Sequence, residues 1–274
     1  MSIAIRNLAV RYGRRLALSD VDADVARGEI LGIVGPNGSG KSSLVRAVAG
    51  MVPFTGRTIT PASDRIGYMP QDNAVRASLG VLEVVLLGRL RQLGLRIGED
   101  DLARAIAALD ELGIAHLASR RIDEISGGQR QMTMLAQVLA AEPAALLLDE
   151  PVSALDPRHQ FEVLRTIRVI ARTRMIPTIV VLHDLNAALR HCDRLLVLRG
   201  GVAIAHGAAP EILTPELLAD VFGIEAEFGT ARDGTSFVVP LGVSGPQPDP
   251  GRGPAASLGG GGTPLLDTVQ NSRA

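Results

Sequence analysis

The chain has 274 residues, 46% of them hydrophobic and 3% aromatic, and a formal net charge of −1. That length and apolar content fit one α/β domain with a subdomain and exclude two large domains. The near-neutral balance leaves no basic footprint for nucleic acid, and a single cysteine, Cys192, excludes an internal disulfide and suits a reducing compartment.

The N-terminus carries no apolar core behind a basic start, so no signal peptide is expected. The longest apolar runs, such as 144–148 and 179–182, fall far short of the roughly 20 residues a membrane-spanning helix needs. Any membrane role is therefore expected to be peripheral.

Residues 3–10 alternate apolar and polar side chains (Ile3, Ile5, Leu8, Val10), and so, with one slip, do residues 16–25 (Leu16, Leu18, Val21, Ala23, Val25). The pattern predicts two antiparallel strands, each with one wet face. Tyr12 lies between them at a glycine turn, placed either to stack on a flat ring or to wedge the turn.

Residues 31–34 form a short apolar run that predicts a buried strand, followed by Gly35, Gly38 and Gly40 and then by Leu44, Val45 and Val48 at helical spacing. This is strand, glycine loop, helix. Residues 35–42, Gly35-Pro36-Asn37-Gly38-Ser39-Gly40-Lys41-Ser42, fit G-x-x-x-x-G-K-[ST]. In that pattern backbone N–H groups close on phosphate oxygens, the lysine reaches the terminal phosphates and the hydroxyl takes Mg²⁺. The helix start adds about half a positive charge. A chance match is the plain alternative, but Lys41 is the only lysine among 28 Lys and Arg residues. A compact ammonium therefore stands where it suits phosphate better than a planar guanidinium.

Short strands are expected at 58–60 and 66–69, the second running into Pro70, Gln71 and Asp72. From 79 to 141 the apolar residues Leu82, Val85, Leu86, Leu90, Leu102, Ile106, Leu109 and Leu112 recur at three- and four-residue steps, which predicts an inserted helical block. Within it Ser126 is a good N-cap, and Gly127 and Gly128 leave bare N–H groups at a helix start.

The run 144–148 ends in Asp149 and Glu150, so a central parallel strand is expected to deliver two carboxylates to the sheet edge where open α/β sheets bind ligands. Asp149 suits Mg²⁺ and Glu150 suits a general base. Residues 153–156 turn into a helix over 157–172. A buried strand over 175–182 brings His183 out at the same sheet end as Glu150, where a contact to a γ-phosphate is plausible chemistry. A hairpin over 193–206 and a short helix over 215–222 follow. From Gly242 to Ala274 the composition falls to Gly, Pro, Ser and Ala, which predicts a disordered tail.

Taken together these segments resemble the nucleotide-binding subunit of ATP-binding cassette (ABC) transporters over roughly residues 2–240. GPNGSGKS at 35–42 is similar to the Walker A loop and Gln71 to the Q-loop glutamine. ISGGQ at 125–129 is similar to the signature, LLLDE at 146–150 to Walker B, SALD at 153–156 to the D-loop, and His183 to the switch histidine. The signature begins with Ile125 where leucine is usual, and Val152 stands where threonine is common. LLGRL at 86–90, LDPRHQ at 155–160, HDLNAAL at 183–189 and LTPELLADVFGIE at 213–225 resemble, further, the branch that energises importers of iron-siderophore complexes, haem and vitamin B12.

The resemblance implies an α/β P-loop NTPase core, mainly parallel, with an N-terminal antiparallel β subdomain and an inserted helical subdomain at 79–141. The ATPase domain would span 1–241, with a low-complexity tail at 242–274. It implies ATP hydrolysis with Mg²⁺ held by Ser42, Gln71 and Asp149, and catalysis by Glu150, His183 and Gln71. Nucleotide contacts would come from Tyr12, the 35–42 loop, Ser43, Ser126, Gly127, Gly128, Gln129 and Asp156. Two copies would sandwich two ATP molecules on the cytoplasmic face of a membrane, working with permease subunits and, indirectly, a solute-binding protein. The cargo implied is an iron(III)-siderophore or a related chelate, with haem or vitamin B12 as the alternative. Two rivals are a soluble ATP-driven clamp, which lacks a permease, and a non-enzymatic regulator, which would not need both Lys41 and Glu150.

Overall fold

The computed structural model describes residues 2–60, 65–71, 79–90, 97–153 and 155–244. Asp72, Ala154 and the tail beyond Ser244 lie outside them. The framework is a six-stranded sheet in the order β5-β6-β7-β3-β8-β9. These strands are β3 (Ile30–Val34), β5 (Ile66–Met69), β6 (Ala145–Asp149), β7 (Thr178–Val181), β8 (Arg194–Arg199) and β9 (Val202–Ala208). All neighbours pair parallel except β8 and β9, which form the expected hairpin.

Alternate residues of each central strand enter different cores. Leu31, Ile33, Leu147, Ile179, Val181, Leu196 and Leu198 pack on one face, while Ile30, Val34, Leu146, Leu148, Val180, Leu195 and Val197 pack on the other. Burial on both faces is why these strands read as unbroken apolar runs.

The first face is covered by α1 (Lys41–Val48) and by a three-stranded antiparallel sheet, ordered β2-β1-β4. That sheet comprises β1 (Ile3–Tyr12), β2 (Arg15–Val25) and β4 (Thr55–Ile59). β4 starts three residues before the predicted strand and adds to β1, with Ile5 opposite Thr58.

The second face takes α2 (Val81–Leu87), α3 (Glu99–Glu111), α4 (Gly127–Ala140), α5 (Pro157–Thr173) and α6 (Leu185–His191). Ala105, Ala108 and Leu109 are the buried stripe of α3, whereas Leu90, Leu102 and Ile106 from the periodic apolar set are exposed. Small residues let α3 approach its neighbours closely, and the larger apolar side chains are left on its flank. The buried Arg89, just past α2, joins the start of α3 to the end of α4: its Nε donates to Asp101 at 2.8 Å and its Nη1 to the Ala140 carbonyl at 2.9 Å.

The short helix expected at 215–222 is a turn at Pro215–Leu217 followed by a π-type turn at Leu218–Phe222. Beyond it a hairpin of β10 (Ile224–Thr230) and β11 (Ser236–Val243) appears that was not predicted. Asn186 on α6 holds it, donating to the Val238 carbonyl at 3.0 Å and accepting from the Val238 N–H at 2.7 Å. Since β11 runs to Val243 and the Ser244 N–H donates to Gly223, ordered structure passes the predicted boundary at 241.

Candidate functional site

The C-terminal ends of β3, β6 and β7 open on one cleft of about 1000 Å³. Tyr12, Asn37, Gly38, Gly40, Lys41, Ser42, Ser43, Gln71, Glu150 and His183 all line it. The backbone after β3 can turn so sharply only with glycine. Gly35 has φ of 151°, and a Cβ there would lie 2.1 Å from the Leu198 carbonyl oxygen. Gly40, at φ of 103°, begins α1 without a side-chain cap, so the first N–H groups of the helix have no acceptor of their own.

Lys41 is buried, and its Nζ donates to the carbonyls of Gly35 at 2.8 Å and Pro36 at 2.9 Å. Burial holds its pKa below the ordinary value, partly offset by Glu150 and Asp149. The ammonium is thus held inside the loop at the place where a polyphosphate would replace two carbonyl partners.

Asp149, the last residue of β6, is fully buried, and its Oδ1 accepts from the Ser42 hydroxyl at 3.0 Å. Its Oδ2 and the Ser39 hydroxyl are buried with no hydrogen-bond partner among the described residues. Desolvation raises the Asp149 pKa against the Ser42 bond and nearby cations, which lower it. An orphaned carboxylate oxygen beside a hydroxyl, both hard donors, fits Mg²⁺ bound by one acid and completed by substrate phosphates and water. Among the described residues no group of three or more His, Cys, Asp or Glu could hold a metal by itself.

Glu150 has left-handed backbone at φ of 54°, a strained conformation for a residue with a Cβ. Its carboxylate is gripped from both sides: Oε1 lies 2.5 Å from His183 Nε2, and Oε2 accepts from the Gln71 amide at 2.7 Å. The two residues expected at a γ-phosphate and a metal therefore both rest on Glu150 here.

Arg15, Leu16 and Ala17 also line the cleft beside Tyr12, and sequence reasoning missed them. Their position next to the tyrosine turn was the available signal. Tyr12 and Leu16 are exposed there and form an apolar rim suited to a flat ring.

Ser126, Gly127, Gly128, Gln129 and Asp156 are not among the residues lining the cleft. Ser126 does cap α4 as expected, in a reciprocal box: the Gln129 N–H donates to its Oγ at 3.2 Å, and its own N–H donates to Gln129 Oε1 at 3.0 Å. Asp156 caps α5, accepting from the His159 N–H at 3.1 Å.

Known proteins resemble this chain over most of its length. The ABC transporter family model matches residues 18–153. The hemin import ATP-binding protein HmuV of Bordetella avium is 38% identical over 246 residues, covering 83% of this chain and 94% of that protein. The cobalamin import ATP-binding protein BtuD of Halobacterium salinarum is 35% identical over 255 residues, covering 88% of this chain and 64% of that protein. Among solved structures, a metal-chelate type ABC transporter in an inward-facing conformation superposes with a TM-score of 0.81 at 29% identity, covering 88% of this chain and 97% of that one. A phosphate loop, a buried carboxylate pair and near full-length likeness to such relatives lead to one conclusion: the chain belongs to the ABC transporter family, as an ATP-binding subunit that hydrolyses ATP.

Proposed function

We propose that this subunit works as a homodimer on the cytoplasmic face of a membrane, energising permease subunits that import a metal chelate delivered by a solute-binding protein. The observation that carries the reading is the division of phosphate-binding parts. Lys41, Ser42 and Glu150 line one cleft with the buried Asp149 behind Ser42, while the Ser126 turn offers its N–H groups elsewhere. A two-fold pairing brings each loop against the partner's turn, twice over.

In this reading the 35–42 loop, Ser43 and Tyr12 bind ATP, and Ser126, Gly127, Gly128, Gln129 and Asp156 complete the pocket of the other subunit. Ser42, Asp149 and Gln71 would hold Mg²⁺, which when bound neutralises phosphate charge. Glu150 polarises the attacking water, while His183 leaves Glu150 to hold the γ-phosphate. Charge stabilisation and positioning supply the rate. The division into an ATPase domain that runs at least to Ser244, with the helical block 79–141 inside it, and a low-complexity tail after it is part of the same proposal. The absence, among the described residues, of any helix long and apolar enough to cross a membrane is compatible with a peripheral subunit.

For the cargo, the relatives named for hemin and cobalamin import support a metal held in an organic chelate. Hemin-import relatives at 38–39% identity favour haem over the iron(III)-siderophore implied by the sequence motifs. The test is ATP-driven dimerisation of Glu150→Gln protein by light scattering, followed by co-purification with the permease and uptake of labelled haem, siderophore or cobalamin in a deletion strain. A strict monomer that splits ATP at full rate overturns the two-subunit reading, and unchanged uptake of all three overturns the cargo class.

A further inference from the structure

The LDPRHQ stretch at 155–160 has a geometry that nucleotide binding does not use. The His159 side chain lies against Gly128: a Cβ built there would come within 2.3 Å of His159 Cδ2 and 2.7 Å of Cγ. Its Nδ1 lies 2.6 Å from Asp156 Oδ2. Gln160 Nε2 donates to the Leu155 carbonyl at 2.9 Å, and a Cβ on Gly127 would rest 3.6 Å from Leu155 Cδ2.

Two turns separated by nearly thirty residues are therefore fastened together. One is the first turn of α4, with its phosphate-seeking N–H groups, and the other is the 155–156 turn that starts α5. Each of the His159 contacts does separate work. The carboxylate bond fixes the direction of the ring, and the ring fixes the distance between the turns, because glycine at 128 lets the imidazole reach the backbone. His159 is not among the residues that line the nucleotide cleft.

We propose that His159 is a positioning residue that locks the 155–156 turn onto the 126–128 turn, so that the two surfaces each subunit lends its partner move as one body. The proposal rests on the two-subunit reading above. Closing an ATP sandwich requires both turns to arrive in register, and a misplacement of about 1 Å in a reacting assembly costs up to roughly 10²-fold in rate.

The test uses the full chain with Mg-ATP. In a Glu150→Gln background, dimerisation is followed by sedimentation against protein concentration for His159, His159→Ala, His159→Phe and His159→Asn. Hydrolysis is measured in the same set with Glu150 restored. His159→Ala and His159→Phe should raise the concentration for half-dimerisation by about 10-fold or more and lower kcat by roughly 10- to 100-fold, with ATP binding to the monomer unchanged. His159→Asn, whose amide can replace the Nδ1 donor, should recover most of both losses.

Parent-like dimerisation and kcat in His159→Ala overturn the proposal. So does a loss of monomer ATP affinity in parallel with dimerisation across all three variants, which marks a general folding role. If the Glu150→Gln parent itself stays monomeric with ATP, the two-subunit reading falls first and takes this proposal with it, a result distinct from an indifferent His159.

Discussion

Two helices of this molecule begin at glycine-rich turns, and they are built in opposite ways. The start of α1 depends on its surroundings: Gly40 supplies no cap, Lys41 is held inward by the Gly35 and Pro36 carbonyls, and the buried Asp149 stands behind Ser42. The start of α4 depends on itself. Ser126 and Gln129 satisfy each other's N–H groups, and Ser126 and Gly127 are exposed. A turn formed by the enclosing fold suits a ligand bound within the chain. A turn that is complete before any ligand arrives suits presentation to another molecule, since little ordering entropy remains to oppose the contact.

The comparison can be broken at several points. Replacing Glu150 with glutamine should slow hydrolysis by ~10²–10⁴ while ATP still binds, the usual worth of a general base. Wild-type turnover in that variant would remove the α1 side of the site from the chemistry. Lys41→Ala should weaken ATP binding to the monomer by about 10²-fold, as expected when one partner of a buried charged contact is removed. An equal ATP titration for variant and parent would show that the buried ammonium is structural.

Ser126→Ala should spare the monomer's ATP affinity yet abolish ATP-driven dimerisation, and should cost about 1 kcal/mol of stability as a lost cap. A fall in monomer affinity would mean that the two turns are one site after all. The last expectation sharpens the comparison by removing a background effect of pH. His191 lies buried against Phe161, and burial, with Arg168 and Arg190 nearby, lowers its pKa to about 4. The unfolded chain, titrating near 6.5, therefore binds the proton first as pH falls. Stability should drop by about 1 kcal/mol from pH 6.5 to 5.5 and continue falling towards 4. His191→Phe should flatten the pH dependence of Tm over that window, and an unaltered slope would assign the effect to another group.

Local chemistry made much of the site legible. The glycine loop, the carboxylates at 149 and 150 and the serine cap at 126 all act through neighbours a few residues away, so their patterns survive in one dimension. Central strands were equally legible, because burial on both faces leaves a continuous apolar run. Residues 224–243 were missed although Asp233 and Gly234 mark the turn, because the exposed Phe237, Val239 and Leu241 give no buried face to read and the hairpin depends on Asn186 of α6.

Chain order and spacing alone settled that this protein holds a nucleotide phosphate: cradle, cation and carboxylates are each written as contiguous residues with a strand or helix to place them. The three-dimensional fold supplied the rest. It laid Gln71 and His183 on opposite oxygens of Glu150, left Asp149 with an open buried oxygen and pressed His159 against Gly128. Those pairings join residues up to 79 positions apart. They follow from sheet order and helix packing, which no local pattern encodes.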